Sequence, residues 1–292
     1  MGIADIRRFN RTVTQRIGAL NDGYMASDRP LGQARVLWEI GPAGCDVRLL
    51  RSRLDLDSGY LSRLLRTLEA DGLVEVEQSG SDGRVRTARL TERGLAERSV
   101  LDQRSDDLAA SILEPLSEQQ QARLIQAMGE VERLLIASTV QVGVVDPRQP
   151  DAQYCLQSYF DELAARFDDG FDHARTISAN ADELTPPAGL LLVATLHSQP
   201  VGCGGLKLHG TEPAELKRMW VSSDVRGLGL GRRLLTELEK QAAAHGAAVL
   251  RLETNRNLTE AISLYRATGY IEVPAFNTEP YAHHWFEKPL KT

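Results

Sequence analysis

The chain has 292 residues, of which 42% are hydrophobic and 25% charged, the balance of an ordinary water-soluble protein. That length is generous for one compact domain and suits two of about 140 to 150 residues each. A net charge of −6 argues against a protein that coats nucleic acid with its whole surface, but leaves room for a local basic face.

In chain order, Ile3 to Leu20 repeats apolar residues at Ile6, Phe9, Val13, Ile17 and Leu20, the three-or-four spacing of one buried helix face. Leu31 to Ile40 reads as a second helix, stopped by Gly41-Pro42, and Val47 to Leu54 as a third. Asp57 or Ser58 caps a fourth, with Leu61, Leu64, Leu65 and Leu68 on its buried stripe and Asp71-Gly72 at its end. Leu73 to Glu77 alternates apolar and acidic residues as a strand does, and Val85 to Leu90 returns as its partner after a turn at Ser79 to Gly83. Thr91-Glu92-Arg93-Gly94 opens a long helix, and Ser117 caps another running to about Ala137.

Beyond Thr139 the rhythm changes. Val140 to Val145 is strand-like, Ala152 to Phe167 helical, and Leu190 to Leu196 with Val201 to Leu208 forms a hairpin. Ala214 to Val221 is a strand, followed by a glycine loop and a helix stopped by Gly246. Val249 to Glu253 is a strand, Thr259 to Thr268 a helix, and two short strands close the chain. Strands alternating with helices imply a mixed α/β sheet. The expected organisation is residues 1–138 as one mainly helical domain and 139–292 as an α/β domain.

No stretch spans a bilayer: the longest apolar run, near Gly189 to Leu196, is too short. The first eight residues lack the apolar core of a signal peptide. A cytoplasmic protein without membrane contact is therefore expected. Cys45, Cys155 and Cys203 are odd in number and widely spaced, which suits buried thiols better than a disulfide framework or a zinc cluster. Every lysine lies in the second half and the first half carries arginine only, as two modules of different character would.

Arg226-Gly227-Leu228-Gly229-Leu230-Gly231, between a strand and an amphipathic helix, has the makings of an anion site. Amides at a helix start are unpaired and the helix dipole favours negative charge there. Glycines let the backbone come close to a phosphate, and Arg226 and Arg232 add positive charge. A dinucleotide fingerprint would need a third glycine at position 232, which is an arginine, so that alternative fails. On its own the loop says only that an anion binds.

The run Glu215-Leu216-Lys217-Arg218-Met219-Trp220-Val221 ahead of that loop, with Leu264-Tyr265-Arg266-Ala267-Thr268-Gly269-Tyr270 after it, resembles the two signatures of the GNAT acetyltransferases. The resemblance covers about residues 138 to 290. It implies an α/β fold with a mixed, mostly antiparallel sheet, acetyl-CoA as co-substrate, no metal, and direct transfer to an amine. It also implies that Met219, Trp220 and Val221 carry the pantetheine arm, and that Arg226, Gly227, Leu228, Gly229, Leu230, Gly231 and Arg232 hold the pyrophosphate. Tyr265 becomes the candidate general acid, against core packing with its hydroxyl tied to backbone. Glu215 becomes the first candidate for the base and Glu253 the second; a structural or substrate-ammonium contact is the other reading of Glu215. The family often places an asparagine seven residues before the tyrosine, but that position is Leu258 here, leaving Asn257 ahead of Asn255 as a substitute. The loops at Phe167 to Asp172 and His209 to Pro213, with Phe276 to Trp285, are expected to wall the acceptor. Adjacent His283 and His284 would diverge in a strand, so a metal pair is not expected.

In the first half, two helices joined tightly, with Ser58, Tyr60, Ser62, Arg63 and Arg66 on the polar side of the second, suit a helix-turn-helix whose second helix lies in the major groove. Arg84 and Arg86 at the hairpin suit phosphate or minor-groove contact. Such arginines also occur on faces that are merely solvated. Leu61 to Val74, with Asp82-Gly83-Arg84 and Leu90-Thr91-Glu92-Arg93-Gly94, resembles the recognition helix and wing of MarR-type winged-helix regulators. That resemblance implies a homodimer reading near-palindromic double-stranded DNA. An Asp82–Arg84 pair shaping the wing would leave Arg86 as the stronger DNA contact. Three functions compete: a bifunctional N-acetyltransferase and DNA-binding regulator, a regulator whose second domain only senses acetyl-CoA or a related ligand, and an enzyme whose winged helix only dimerises.

Overall fold

In the computed structural model, the described residues are 2–19, 29–78, 86–168, 170–210 and 212–290. The chain forms two compact units, divided between Met128 and Gly129.

The first unit holds α1 (Ile3–Arg16), α2 (Leu31–Ile40), β1 (Cys45–Asp46), α3 (Val47–Leu54), α4 (Ser58–Ala70), β2 (Val74–Gln78), β3 (Arg86–Leu90) and α5 (Glu92–Leu113). The unit border falls inside the next helix, α6 (Glu118–Thr139). Asp46 caps α3, its side chain accepting from the amides of Arg48 and Leu49, and Asp57 caps α4 by accepting from Tyr60 N at 2.8 Å. Asp55, with φ of 50°, ends α3 in the left-handed conformation and turns the chain into α4. Leu61, Leu65 and Leu68 of α4 pack on Leu37, Leu50 and Leu73 in one core, each buried leucine contributing about 2 kcal/mol. Among the described residues the sheet has three strands in the order β1-β3-β2, all antiparallel.

Thr91 caps α5 and also donates to Gly72 O at 2.8 Å, tying the exit of the hairpin to the end of α4. A Cβ on Gly94 would lie 2.0 Å from Leu73 O. Only glycine lets α5 dock there, which gives the Thr-Glu-Arg-Gly run its physical meaning. The short β1 escaped the sequence reading; it is two residues that pair with β3.

One expectation is overturned. The apolar stripe of α1 is not buried within the chain: Ile3, Ile6, Phe9 and Val13 are 68%, 61%, 47% and 36% exposed, and no residue of α1 is buried. The period predicts a helix correctly, but a stripe needs a partner surface, and the described residues of this unit supply none. Leu20 lies outside the described residues, as do Ser79 to Val85.

The second unit continues with β4 (Gln141–Val144), α7 (Pro150–Arg166), β5 (Gly189–Leu196), β6 (Gln199–Lys207), β7 (Ala214–Val221), α8 (Leu230–Ala244), β8 (Val249–Thr254), α9 (Thr259–Ala267), β9 (Ile271–Val273) and β10 (His284–Pro289). Among the described residues its sheet has seven strands in the order β4-β5-β6-β7-β8-β10-β9. Every pairing is antiparallel except β7 with β8. Leu190, Leu192 and Ala194 of β5 join the core with Leu234, Leu235 and Leu238 of α8, while Leu191 and Val193 pack with Ala152 and Cys155 of α7. Helices therefore cover both faces, which explains why β5 is an unbroken apolar run and not an alternating one.

Two irregularities make the cleft. β7 carries an extra residue where Arg218 and Met219 lie against Gly204, and Arg218 takes a φ of 54°. β7 pairs with β8 only at Ala214–Leu250 and Glu215–Arg251. Past that point the two parallel strands diverge, and the edge of β7 from Leu216 onward has no strand partner on that side. Divergent strand ends leave backbone groups free and open a crevice at the carboxyl end of the sheet.

Candidate functional site

β7 runs into a 3-10 turn at Ser223–Val225, then the glycine loop, then α8. Gly227 and Gly229 have φ of 84° and 73°, in the left-handed region. An added Cβ at either would meet nothing within 4 Å, so conformation, not space, requires glycine here. Leu230 is buried and Leu228 half-buried against the core, which fixes the loop from below at the start of α8.

A cavity of about 490 Å³ lies over this loop and along β7. Met219, Trp220, Val221, Arg226, Gly227, Gly229, Leu230, Gly231 and Arg232 line it; Leu228 and Asn257 do not. Arg226 is engaged with Glu162 of α7, Nη2 donating to both carboxylate oxygens at 2.6 and 2.8 Å. Glu162 also accepts from Trp220 Nε1 at 3.0 Å and Arg166 Nη1 at 3.0 Å. Arg232 is exposed at the cavity and has no carboxylate within ion-pair distance among the described residues.

A second, smaller cavity of about 80 Å³ adjoins it and shares Tyr159, Leu163, Met219, Leu258, Ala261 and Tyr265 with the first. Tyr265 of α9 therefore stands at the border of both. It is 4% exposed, its ring contacts Tyr270 and Phe286, and its hydroxyl has no hydrogen-bond partner among the described residues. Burial raises its pKa, and nearby Tyr159 and Glu253 raise it further, so the proton stays on at neutral pH.

The carboxylates divide. Glu215, at the start of β7, lines neither cavity. It accepts from Arg251 Nη2 at 2.7 Å and lies 3.2 Å from Lys217 Nζ and 3.6 Å from His209 Nε2. Burial opposes its ionisation, but the Arg251 hydrogen bond and the Lys217 charge outweigh that and hold its pKa below the ordinary carboxylate value. Glu253 of β8 does line the second cavity. It forms an ion pair with Lys217 and accepts from Asn277 Nδ2 at 3.3 Å.

Asn257 binds protein, its side chain donating to Arg166 O at 2.8 Å and to Asp168 Oδ2 at 3.3 Å. Asn255 lines the second cavity and donates to Tyr281 O at 2.8 Å. Phe167, Phe171, Glu279, Tyr281 and Ala282 wall that cavity, whereas no described residue of 209–213 does. His283 and His284 line neither; His284 pairs through Nδ1 with Glu272 at 2.6 Å.

In the first unit, α3 and α4 form two helices joined by the three residues Asp55 to Asp57. Ser58, Tyr60, Arg63 and Arg66 are exposed on α4 and Ser62 is half-buried. The Arg63 guanidinium lies 5.7 Å from the Tyr60 ring centre, and Arg66 Nε donates to Ser62 O at 3.3 Å. Arg86 is exposed at the start of β3, opposite Gln78. Arg84 lies outside the described residues.

Residues 156–270 match the model of the acetyltransferase (GNAT) family, and residues 27–85 match that of the MarR family. The IAA acetyltransferase of Azospirillum brasilense is 32% identical over 154 residues, covering 51% of this chain and 99% of that protein. The chain belongs to the GNAT acetyltransferase family. It is an acyl-CoA-dependent acetyltransferase with a MarR family region ahead of the GNAT fold. An uncharacterised N-acetyltransferase of Schizosaccharomyces pombe is 34% identical over 101 residues, 34% of this chain and 59% of that one. The PcaV transcriptional regulator of Streptomyces coelicolor aligns in structure with 26% identity over 43% of this chain and 93% of that chain, at a TM-score of 0.37.

Within the GNAT unit, three cavity residues were not singled out as site residues by the sequence. Tyr159 and Glu162 sit on α7, which shows only a helical period. Arg218 lies inside the strand signature but gains its place from the bulge. Among the described residues no helix is long and apolar enough to cross a membrane, and no group of three or more His, Cys, Asp or Glu stands together to hold a metal.

Proposed function

We propose that this protein transfers the acetyl group of acetyl-CoA directly to an amine, and that its MarR region reads double-stranded DNA as a homodimer. Residues 1–138 act as the regulator module and 139–292 as the enzyme. The observation that carries the enzymatic reading is Tyr265: a buried phenol with an unengaged hydroxyl at the junction of two cavities, one of them running over a helix-start glycine loop.

The groups present fit acetyl-CoA. Left-handed Gly227 and Gly229 shape the loop at the start of α8, where the dipole favours a pyrophosphate, and Arg232, with no ion-pair partner among the described residues, adds positive charge. Met219 to Val221, on the edge of β7 that lacks a partner, offers backbone groups to the pantetheine arm. An amide there stabilises negative charge growing on the thioester oxygen. Bound acetyl-CoA supplies the activated acyl carbon.

Glu253 is the best-placed base, because it lines the acceptor cavity and Glu215 does not. Acting through water, it takes the proton that an amine loses before attack. Glu215 then serves as the anion that holds Lys217 and Arg251. As the carbon–sulfur bond breaks, Tyr265 hands its proton to the departing sulfur and is reprotonated from the new amide nitrogen.

For the MarR module, Ser58, Tyr60, Ser62, Arg63 and Arg66 enter the major groove, and Arg86 with Arg84 contacts the backbone or minor groove from the wing. The exposed stripe Ile3, Ile6, Phe9 and Val13 supports dimerisation, since a second copy would cover it. A two-fold dimer reads a near-palindromic site.

The test is release of CoA from acetyl-CoA by the full-length protein across a panel of amines, amino acids and peptides, with acetyl-CoA affinity measured alongside. Turnover with at least one acceptor supports the enzyme. Tight acetyl-CoA binding with no turnover on any acceptor would favour a sensor.

A further inference from the structure

We propose that the acetyl acceptor carries a carboxylate next to its amine, as an amino acid with an apolar side chain does, and that Arg218 binds that carboxylate. The proposal rests on the transfer reading above and names the substrate class of the same cleft.

Arg218 is a cation without an anion. Several other cations of the unit are neutralised: Lys207 by Glu183, Lys217 by Glu215 and Glu253, Arg251 by Glu215, Arg226 by Glu162, and Arg166 by Glu162 and Glu260. Among the described residues no carboxylate comes within ion-pair distance of Arg218. Its guanidinium instead lies 4.9 Å from the Phe160 ring centre and 5.8 Å from that of Tyr159, and its Nε is buried with no hydrogen-bond partner. A half-buried charge left this way is unfavourable unless something completes it.

The backbone conformation points the same way. Arg218 occupies the left-handed region at the bulge of β7, which a long L-residue adopts only at a cost in strain. Bulges re-aim side chains beside active sites, and this one gives the second cavity a wall that includes Arg218. The Phe160 ring flanks the guanidinium and the Tyr159 hydroxyl interacts with it, while Nε stays unpartnered; a guanidinium in this setting matches a planar carboxylate.

The rest of the cavity fits the other parts of such a molecule. Glu253 and Tyr265 stand ready for the amine. Lys217 contributes no further net attraction for an anion, being paired on both sides. The buried Glu279 is also occupied, accepting from Thr176 Oγ1 at 2.8 Å and Ile177 N at 2.7 Å. Phe167, Phe171 and Tyr281 stack into an apolar wall, with centroids 4.9 to 5.8 Å apart. An amine, a carboxylate and an apolar side chain thus meet a base, an unpaired arginine and an aromatic wall. A polyamine or a protein lysine would leave Arg218 unmatched.

The experiment compares matched acceptors on the full-length protein: phenylalanine, phenylalaninamide and phenethylamine, then leucine, leucinamide and isoamylamine. CoA release gives kcat/KM for each. The acid of each set should exceed its amide and its decarboxylated amine at least tenfold. In Arg218→Gln that preference should collapse through a raised KM for the acid, and Arg218→Lys should restore part of it. Unchanged acetyl-CoA affinity and melting temperature show that each variant is folded. Equal use of acid and amide, or a preference that survives Arg218→Gln, overturns the proposal. Should no amine turn over, the transfer reading fails by itself. Calorimetric binding of phenylalanine against phenylalaninamide then decides the carboxylate subsite, which stands if the acid alone binds and Arg218→Gln abolishes it, and falls otherwise.

Discussion

Arg226 Nη2 donates to both carboxylate oxygens of Glu162, at 2.6 and 2.8 Å. The arginine that opens the glycine loop thus brings little net charge to it, because α7 has already neutralised it. Arg232, in the first turn of the loop helix, has no such partner among the described residues. Arg232→Ala should therefore weaken acetyl-CoA binding about tenfold, the effect of one charge-assisted hydrogen bond, and Arg226→Ala distinctly less. Isothermal titration at two salt concentrations checks the ranking. Equal losses would show that Glu162 releases Arg226 when ligand arrives.

Tyr265→Phe removes one oxygen that has no hydrogen-bond partner among the described residues, so stability and acetyl-CoA affinity should change little. Turnover should fall by a factor of about 10² to 10⁴, the range for general acid–base catalysis. Because burial raises the Tyr265 pKa, activity should not decline from its ionisation anywhere between about pH 6 and 9. A rising limb there reports deprotonation of the acceptor amine, and it should move with the amine used.

Glu183 predicts an acid-sensitive contact below the sheet. It accepts from Lys207 Nζ at 2.7 Å and from Asn180 N at 3.0 Å. Burial would raise its pKa, but hydrogen bonds from Lys207, Ser178 and Asn180 lower it to about 2. A depressed carboxylate stabilises the fold above its unfolded pKa, and that contribution is lost as pH falls from about 4.5 toward 2. Glu183→Gln should cost about 2 kcal/mol at pH 7, less at pH 3. Urea denaturation at the two pH values measures it; an equal cost at both would assign the effect to packing.

On the regulator side, Arg63→Ala with Arg86→Ala should abolish specific binding to the sequence upstream of the gene while leaving the fold intact, since both side chains are exposed. Affinity of the unaltered protein should fall steeply with salt, and the double variant's slope should be shallower by about 2. Retention of full affinity by the variant would remove α4 and the wing from the interface.

Much of this architecture is legible without coordinates, for local reasons. The caps Asp57 and Thr91, the leucine stripe of α4 and the glycine stops of α8 and α9 act on residues within one or two turns, so spacing reveals them. The Glu215 to Val221 strand and the glycine loop are legible because chemistry requires neighbours along the chain. The exposure of α1 is not legible, because a stripe states that a face is apolar and not what will cover it. Nor is the choice of base. Glu215 and Glu253 are both carboxylates on adjacent strands, and which of them lines the second cavity depends on elements far apart along the chain.

The sequence by itself determined the two family regions and singled out the glycine loop and Tyr265 as candidates, since each depends on short-range pattern. Tertiary structure alone decided which charges are spent and which remain. Glu162, a helix residue with no motif, neutralises Arg226; Lys217 and Arg251 occupy Glu215; and the bulged strand places Arg218 in the wall of the second cavity with no counter-ion among the described residues. Ion pairing depends on distances of a few ångströms between residues tens of positions apart, and only the folded chain sets those.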